Sequence, residues 1–156
     1  MRHRLALLAL GLMVGGAMAN PADRSTVLRA AGLEEREGRW HLPDCATPVK
    51  PDIEWHELSG AAPAEAVVFL EASRCLPGHR GGSLRLLADR GEGSWQPLTD
   101  WQAGVELVPQ AGRSEGWRDI GIATSGGCMP LFRWQAGSYR VQGQKAIQPG
   151  GCALRE

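Results

Sequence analysis

From Ala66 to the C terminus, the apolar residues of this chain come in short runs closed by glycine or polar turns, a rhythm that suits strands and leaves little room for helices. The runs are Val67–Ala72, Ser83–Ala88, Trp95–Asp100, Glu106–Val108, Asp119–Thr124, Leu131–Trp134 and Tyr139–Gln142. These candidate strands predict a mostly β, small antiparallel fold. Val67-Val68-Phe69-Leu70 is apolar on both sides and belongs at the centre of a sheet, whereas Tyr139-Arg140-Val141-Gln142 alternates and keeps one face in water. Gly91-Glu92-Gly93 and Ala136-Gly137 supply hairpin turns, because glycine takes positive φ without steric cost.

The N-terminal part reads differently. Met1–Arg4 is short and basic, Leu5–Gly16 is apolar, and Ala17-Met18-Ala19 offers small residues where a signal peptidase cuts. Residues 1–19 are therefore expected to be a signal peptide cleaved after Ala19, and the mature chain to be periplasmic. No later apolar run is long enough to cross a bilayer. Asn20-Pro21-Ala22-Asp23 then reads as a helix start, with Asn as N-cap, Pro at the first helical position and an acid in the first turn. Val27, Leu28 and Ala31 share one face of this short helix, and Gly32 ends it. Residues 33–64 carry Pro43, Pro48, Pro51 and Pro63, which break every period, so an irregular wrap is expected over Trp40 and Trp55. The resulting division is a leader at 1–19, a helix and wrap at 20–64, and an antiparallel sheet region at 65–156, with wrap and sheet forming one domain.

In an oxidising compartment, Cys45, Cys75, Cys128 and Cys152 most simply form two disulfides, and three pairings are open. They lack the close pairs of a zinc site and the Cys-x-x-Cys of a redox site. A weak internal repeat favours one pairing. Glu65 opens a strand leading to Cys75, then Leu84-Arg85-Leu86, a glycine turn and Gly93-Ser94-Trp95. Asp119 opens another leading to Cys128, then Leu131-Phe132-Arg133-Trp134, a glycine turn and Gly137-Ser138-Tyr139. Equivalent copies would set Cys75 beside Cys128 and leave Cys45 to Cys152.

Composition narrows the function. The chain is 43% hydrophobic and 22% charged, as in one globular domain, and its 17 basic residues balance 17 acidic ones. It lacks the basic excess of a dedicated nucleic-acid binder. Neither Gly-x-Ser-x-Gly, His-Glu-x-x-His nor a P-loop is present, and His41, His56 and His79 sit in no catalytic motif, so no enzyme activity and no cofactor are expected. Recognition is expected on three glycine-framed loops. Leu76–Gly82 offers His79 and Arg80, Gln110–Trp117 offers Arg113, Ser114 and Trp117, and Thr124–Pro130 offers Ser125.

Trp117-Arg118-Asp119-Ile120-Gly121-Ile122, a glycine-rich loop and Leu131–Tyr139 together resemble a β-propeller blade of the FG-GAP or VCBS kind. Such blades often open with a calcium loop, and Glu57–Val67 has its length. Ala61 and Ala62 replace an oxygen ligand and a glycine, so the loop frame is expected without the calcium site. The resemblance spans residues 54–142 and implies a partial β-propeller. Small secreted proteins with one such unit are similar to immunity proteins against type VI peptidoglycan amidases. The resemblance thus implies an inhibitor whose partner is a secreted or periplasmic cell-wall hydrolase, held by loop insertion into its cleft. The alternative is a non-catalytic accessory envelope module that binds a protein complex or glycan.

Overall fold

The structure, a computed structural model, describes residues 21–61, 64–76 and 80–153, with side chains from Arg24 onward. The expected leader with its cleavage point, the Asn20 cap and His79 lie outside the described residues. Among the described residues one helix forms, α1 (Pro21–Ala30), and it ends where glycine is required. Gly32 has φ +85°, its N–H donates to the Arg29 carbonyl at 2.9 Å, and the Leu33 N–H donates to the Leu28 carbonyl at 3.0 Å. This reverse turn satisfies the last carbonyls of the helix. Val27 and Leu28 on the helix, with Ala31 just after it, are fully buried.

The chain is otherwise mostly β, in three antiparallel sheets. The first holds β1 (Glu34–Arg36), β2 (Arg39–His41) and β3 (Pro48–Val49). The central sheet follows chain order through β4 (Pro51–His56), β5 (Glu65–Leu70), β6 (Ser83–Asp89) and β7 (Trp95–Pro97), with β8 (Gln102–Ala103) also on β6. The outer sheet repeats the meander in β9 (Glu106–Ser114), β10 (Trp117–Ala123), β11 (Cys128–Gln135) and β12 (Ser138–Ala146). The two meanders are the internal repeat: Glu65 opens the second strand of one, and Asp119 lies in the second strand of the other.

Residues 33–64 thus correct the expectation of an irregular wrap. Pro48 and Pro51 stand at the first residues of β3 and β4, where a missing N–H is tolerated, so they punctuate strands instead of preventing them. The central sheet begins at Pro51, not at residue 65. Trp40 is partly buried against the helix-side core, whereas Trp55 is 40% exposed.

The central sheet is covered on both faces. Ala66, Val68, Leu70 and Leu87 pack with Val27 and Leu28 of α1, and with Ala31, Leu33 and Leu42. Val67, Leu84, Leu86 and Ala88 pack with Leu107, Ile120, Ile122 and Phe132 of the outer sheet. Alternation along β5 and β6 sends successive side chains into opposite cores. Burying each Val or Leu is worth roughly 1.5–3 kcal/mol, so this strand pair is where the fold gains most. Arg85 brings a positive charge to the helix side. Its Nη1 donates to the Ala31 carbonyl at 2.9 Å and its Nε to the Thr99 carbonyl at 3.1 Å, placing a cation at the negative end of α1. Burial lowers its pKa, and Asp100 opposes that shift.

The disulfides join Cys45 to Cys75 and Cys128 to Cys152, which overturns the pairing of Cys75 with Cys128 and Cys45 with Cys152 expected from the repeat. Cys75 and Cys45 pack against the helix-side core, while Cys128 opens β11 on the other side of the central sheet. Peptide mapping under non-reducing conditions is expected to recover Cys45–Cys75 and Cys128–Cys152 peptides, and a Cys75–Cys128 peptide would refute this chain path. Replacing both Cys45 and Cys75 by Ser should lower unfolding stability by about 3–4 kcal/mol, measured by urea titration.

Candidate functional site

The loops after β5 and β10 hold equivalent places in the two meanders, and they meet. Ser125 Oγ donates to the Arg80 carbonyl at 3.1 Å. Gly81, at φ +90°, permits this approach: a Cβ there would lie 2.9 Å from both Cβ and Oγ of Ser125. The linker between β8 and β9 stitches the same end. Gly104 N–H donates to the Gly82 carbonyl at 3.1 Å, and Val105 N–H to the Ala123 carbonyl at 2.8 Å, so adjacent residues bond to the two different sheets. Within the β10–β11 turn, Thr124 Oγ1 donates to the Cys128 carbonyl at 2.7 Å. The Cys128–Cys152 bond and the Ile147 N–H on the Gly127 carbonyl (2.9 Å) brace it from the C-terminal side. Val105, 47% exposed, and Ile147, 48% exposed, add apolar surface to this polar loop pair.

Arg113, Ser114 and Trp117 lie at the other end of the outer sheet. The segment Gln110–Trp117, expected to be a loop, is instead the end of β9, a two-residue turn at Glu115-Gly116 and the start of β10. β10 is seven residues long and separates these residues from Ser125 by roughly 20 Å. Their contacts are internal. Arg113 Nη1 donates to the Gly116 carbonyl at 2.7 Å and the Leu58 carbonyl at 3.4 Å, and Ser114 Oγ donates to Asp119 at 2.7 Å. Trp117 stacks on Trp134 with ring centroids 4.0 Å apart and packs against the inter-sheet core. The structure therefore brings Arg80 and Ser125 together and sets the other three apart from them.

That second end closes the fold around a buried carboxylate. Glu65 accepts the Leu58 N–H at 2.7 Å and the Ser59 N–H at 3.4 Å, closing the Glu57–Glu65 loop through backbone donors. The Leu58 carbonyl accepts the Arg118 N–H at 2.8 Å, and Tyr139 Oη donates to the Arg118 carbonyl at 2.7 Å. Burial pushes the Tyr139 phenol well above its ordinary range, and the Glu65 and Asp119 carboxylates push it further, against a smaller opposing effect of Arg113.

Sequence reasoning missed a groove of about 420 Å³ on the outer sheet, lined by Gln110, Gly112, Asp119, Arg133, Gln142 and Gly143. It opens where β9–β10 and β11–β12 each shift register, an irregularity that no local residue pattern announces. Arg133 Nε lies 3.4 Å from Asp119 at its floor. The histidines are dispersed: His41 Nδ1 donates to the Cys45 carbonyl at 3.3 Å, and His56 Nε2 lies 3.4 Å from Glu54. Among the described residues no three His, Cys, Asp or Glu side chains are placed to hold a metal ion. The loop pair displays hydroxyls, carbonyls and apolar contacts, and the groove a guanidinium, a carboxylate and amides.

Tyr139 is the only tyrosine in the chain and reports directly on the far end. Because its folded pKa is raised, its contribution to stability is complete below pH about 10 and is lost as pH rises above that unfolded-state value. Tyrosinate absorbance is expected to appear only together with unfolding. Tyr139→Phe should lose this alkaline dependence at a cost of about 1 kcal/mol near neutral pH, and free titration near pH 10 in the folded protein would contradict the buried phenol. Neither a protein-family model nor a curated protein nor a solved structure matches the chain.

Proposed function

We propose that this chain is a periplasmic binding protein that inhibits a cell-wall-active enzyme, a peptidoglycan amidase or similar hydrolase, by inserting the paired β5–β6 and β10–β11 loops into its cleft. One observation carries the reading: the Ser125–Arg80 bond joins two loops from different sheets, and the Gly104-Val105 stitch and the Cys128–Cys152 bond hold them in place. Loops tied to each other before encounter lose less conformational entropy on binding, as a plug requires. The resemblance to immunity proteins supplies the target class, and the expected leader supplies the compartment. Arg80 and Ser125 are the contact residues on this reading; His79 belongs to the same loop by sequence. Arg113, Ser114 and Trp117 act instead by holding the outer sheet.

A second reading, an accessory envelope module that binds glycan, draws on Trp55, whose exposed ring meets Trp95 edge-to-face at 5.6 Å. The two readings separate in one experiment. The oxidised protein is immobilised, hydrolases retained from envelope and secreted fractions are purified, and inhibition of sacculus digestion is measured. Arg80→Glu with Ser125→Arg is expected to weaken inhibition by about a hundredfold or more while the protein stays folded, as for residues central to an interface. Arg113→Ala is expected to leave inhibition unchanged. Equal inhibition by the Arg80/Ser125 double variant sinks the plug. Retention of the protein on purified sacculi, lost in Trp55→Ala, establishes the glycan reading.

A further inference from the structure

The main ladders of the central and outer sheets end in four strands, and three of them are blunted. β4 carries Pro51 with Asp52 and Glu54, β7 carries Pro97, and β9 carries Pro109 with Glu106. Proline and charge at an edge discourage the pairing of another strand. The fourth edge, β12, is nine residues long, Ser138–Ala146, with neither proline nor acid, and every residue from Arg140 onward is exposed. The Tyr139 N–H reaches the Leu98 carbonyl at 3.5 Å, so at this position the donor points away from β11. Strand geometry gives Val141, two residues on, the same direction, with a side chain 62% exposed beside it.

Charge on this edge is one-sided. Arg140 stands directly opposite Arg133 in the β11–β12 register, a like-charge pair that sheets disfavour. Arg133 turns to Asp119; among the described residues neither Arg140 nor Lys145 has a carboxylate partner. Gln142 and Gly143, where the β11–β12 register shifts, open beside these cations into the groove that Arg133 lines. We propose that β12 accepts an extended, carboxylate-bearing segment of a partner protein as a fifth strand of the outer sheet. Backbone hydrogen bonds hold the segment, while Arg140 and Lys145 select its acidic side chains. This surface is distinct from the Arg80–Ser125 loop pair and does not depend on the inhibitor reading.

The test uses the oxidised, isotope-labelled protein and a peptide of alternating threonine and glutamate as long as β12. The same peptide with lysine in place of glutamate is the control. Titration with the glutamate peptide is expected to shift the amide resonances of Val141–Ala146 and slow their hydrogen exchange, and the lysine peptide to leave them in place. Val141→Pro removes a donor that points away from β11 and is expected to abolish binding while the spectrum stays dispersed. Arg140→Glu keeps the edge and is expected to weaken binding by about tenfold, as loss of charge complementarity does. Equal response to both peptides, no response to the glutamate peptide, or shifts confined to other strands overturns the proposal. So does a concentration-dependent dimer dissociated by Val141→Pro, which would make a second copy of this chain the occupant.

Discussion

The two apolar faces of β5 and β6 are the constraint from which the architecture follows. A strand pair with Ala66, Val68 and Leu87 on one side and Val67, Leu84 and Leu86 on the other cannot leave either side wet, so it needs a cover on each. α1 and the segment after it supply one cover, and the second meander supplies the other. Each cover is thin, and the links at the margins compensate: Arg85 reaches the end of the helix, Glu65 ties the Leu58 loop, and Gly104-Val105 bonds to both sheets.

Much of this arrangement was legible in the sequence where local chemistry and tertiary context agree. The continuous apolar run of β5 could only be central. The Ala136-Gly137 turn shows the positive φ values, +50° and +87°, expected of a tight hairpin. The Gly32 stop and the buried face of α1 also follow from pattern alone. β1 and β4 were not legible. Glu34-Glu35-Arg36 is exposed along its length, and β4 alternates only weakly, so neither carries the hydrophobic period that marks a half-buried strand. Gln110–Ser114 looked like a loop for the same reason: it is the polar end of an edge strand, and its pairing to β10 is set by partners remote in sequence.

The candidate binding residues divide along a similar line. The repeat predicted Cys75 beside Cys128; the loops that follow the equivalent strands do meet, at Ser125 and Arg80. It failed for the sulfur atoms because equivalence of strands says nothing about which face a loop crosses on its way. Cys75 packs on the helix side, whereas Arg80 meets Ser125, so the two loops touch through a hydroxyl and a carbonyl. Trp117 illustrates a different limit. An exposed anchor and a core ring have the same letter in a sequence, and only its stack on Trp134 decides between them.

The order of the disulfides along the chain has a consequence for biogenesis. Cys45–Cys75 closes before Cys128–Cys152 begins, with neither enclosing nor crossing the other. For a chain delivered N terminus first to an oxidising compartment, consecutive thiols are then always the native partners. Each cysteine that emerges after an unpaired one is the residue it must join, and correct oxidation can follow the order of arrival without reshuffling.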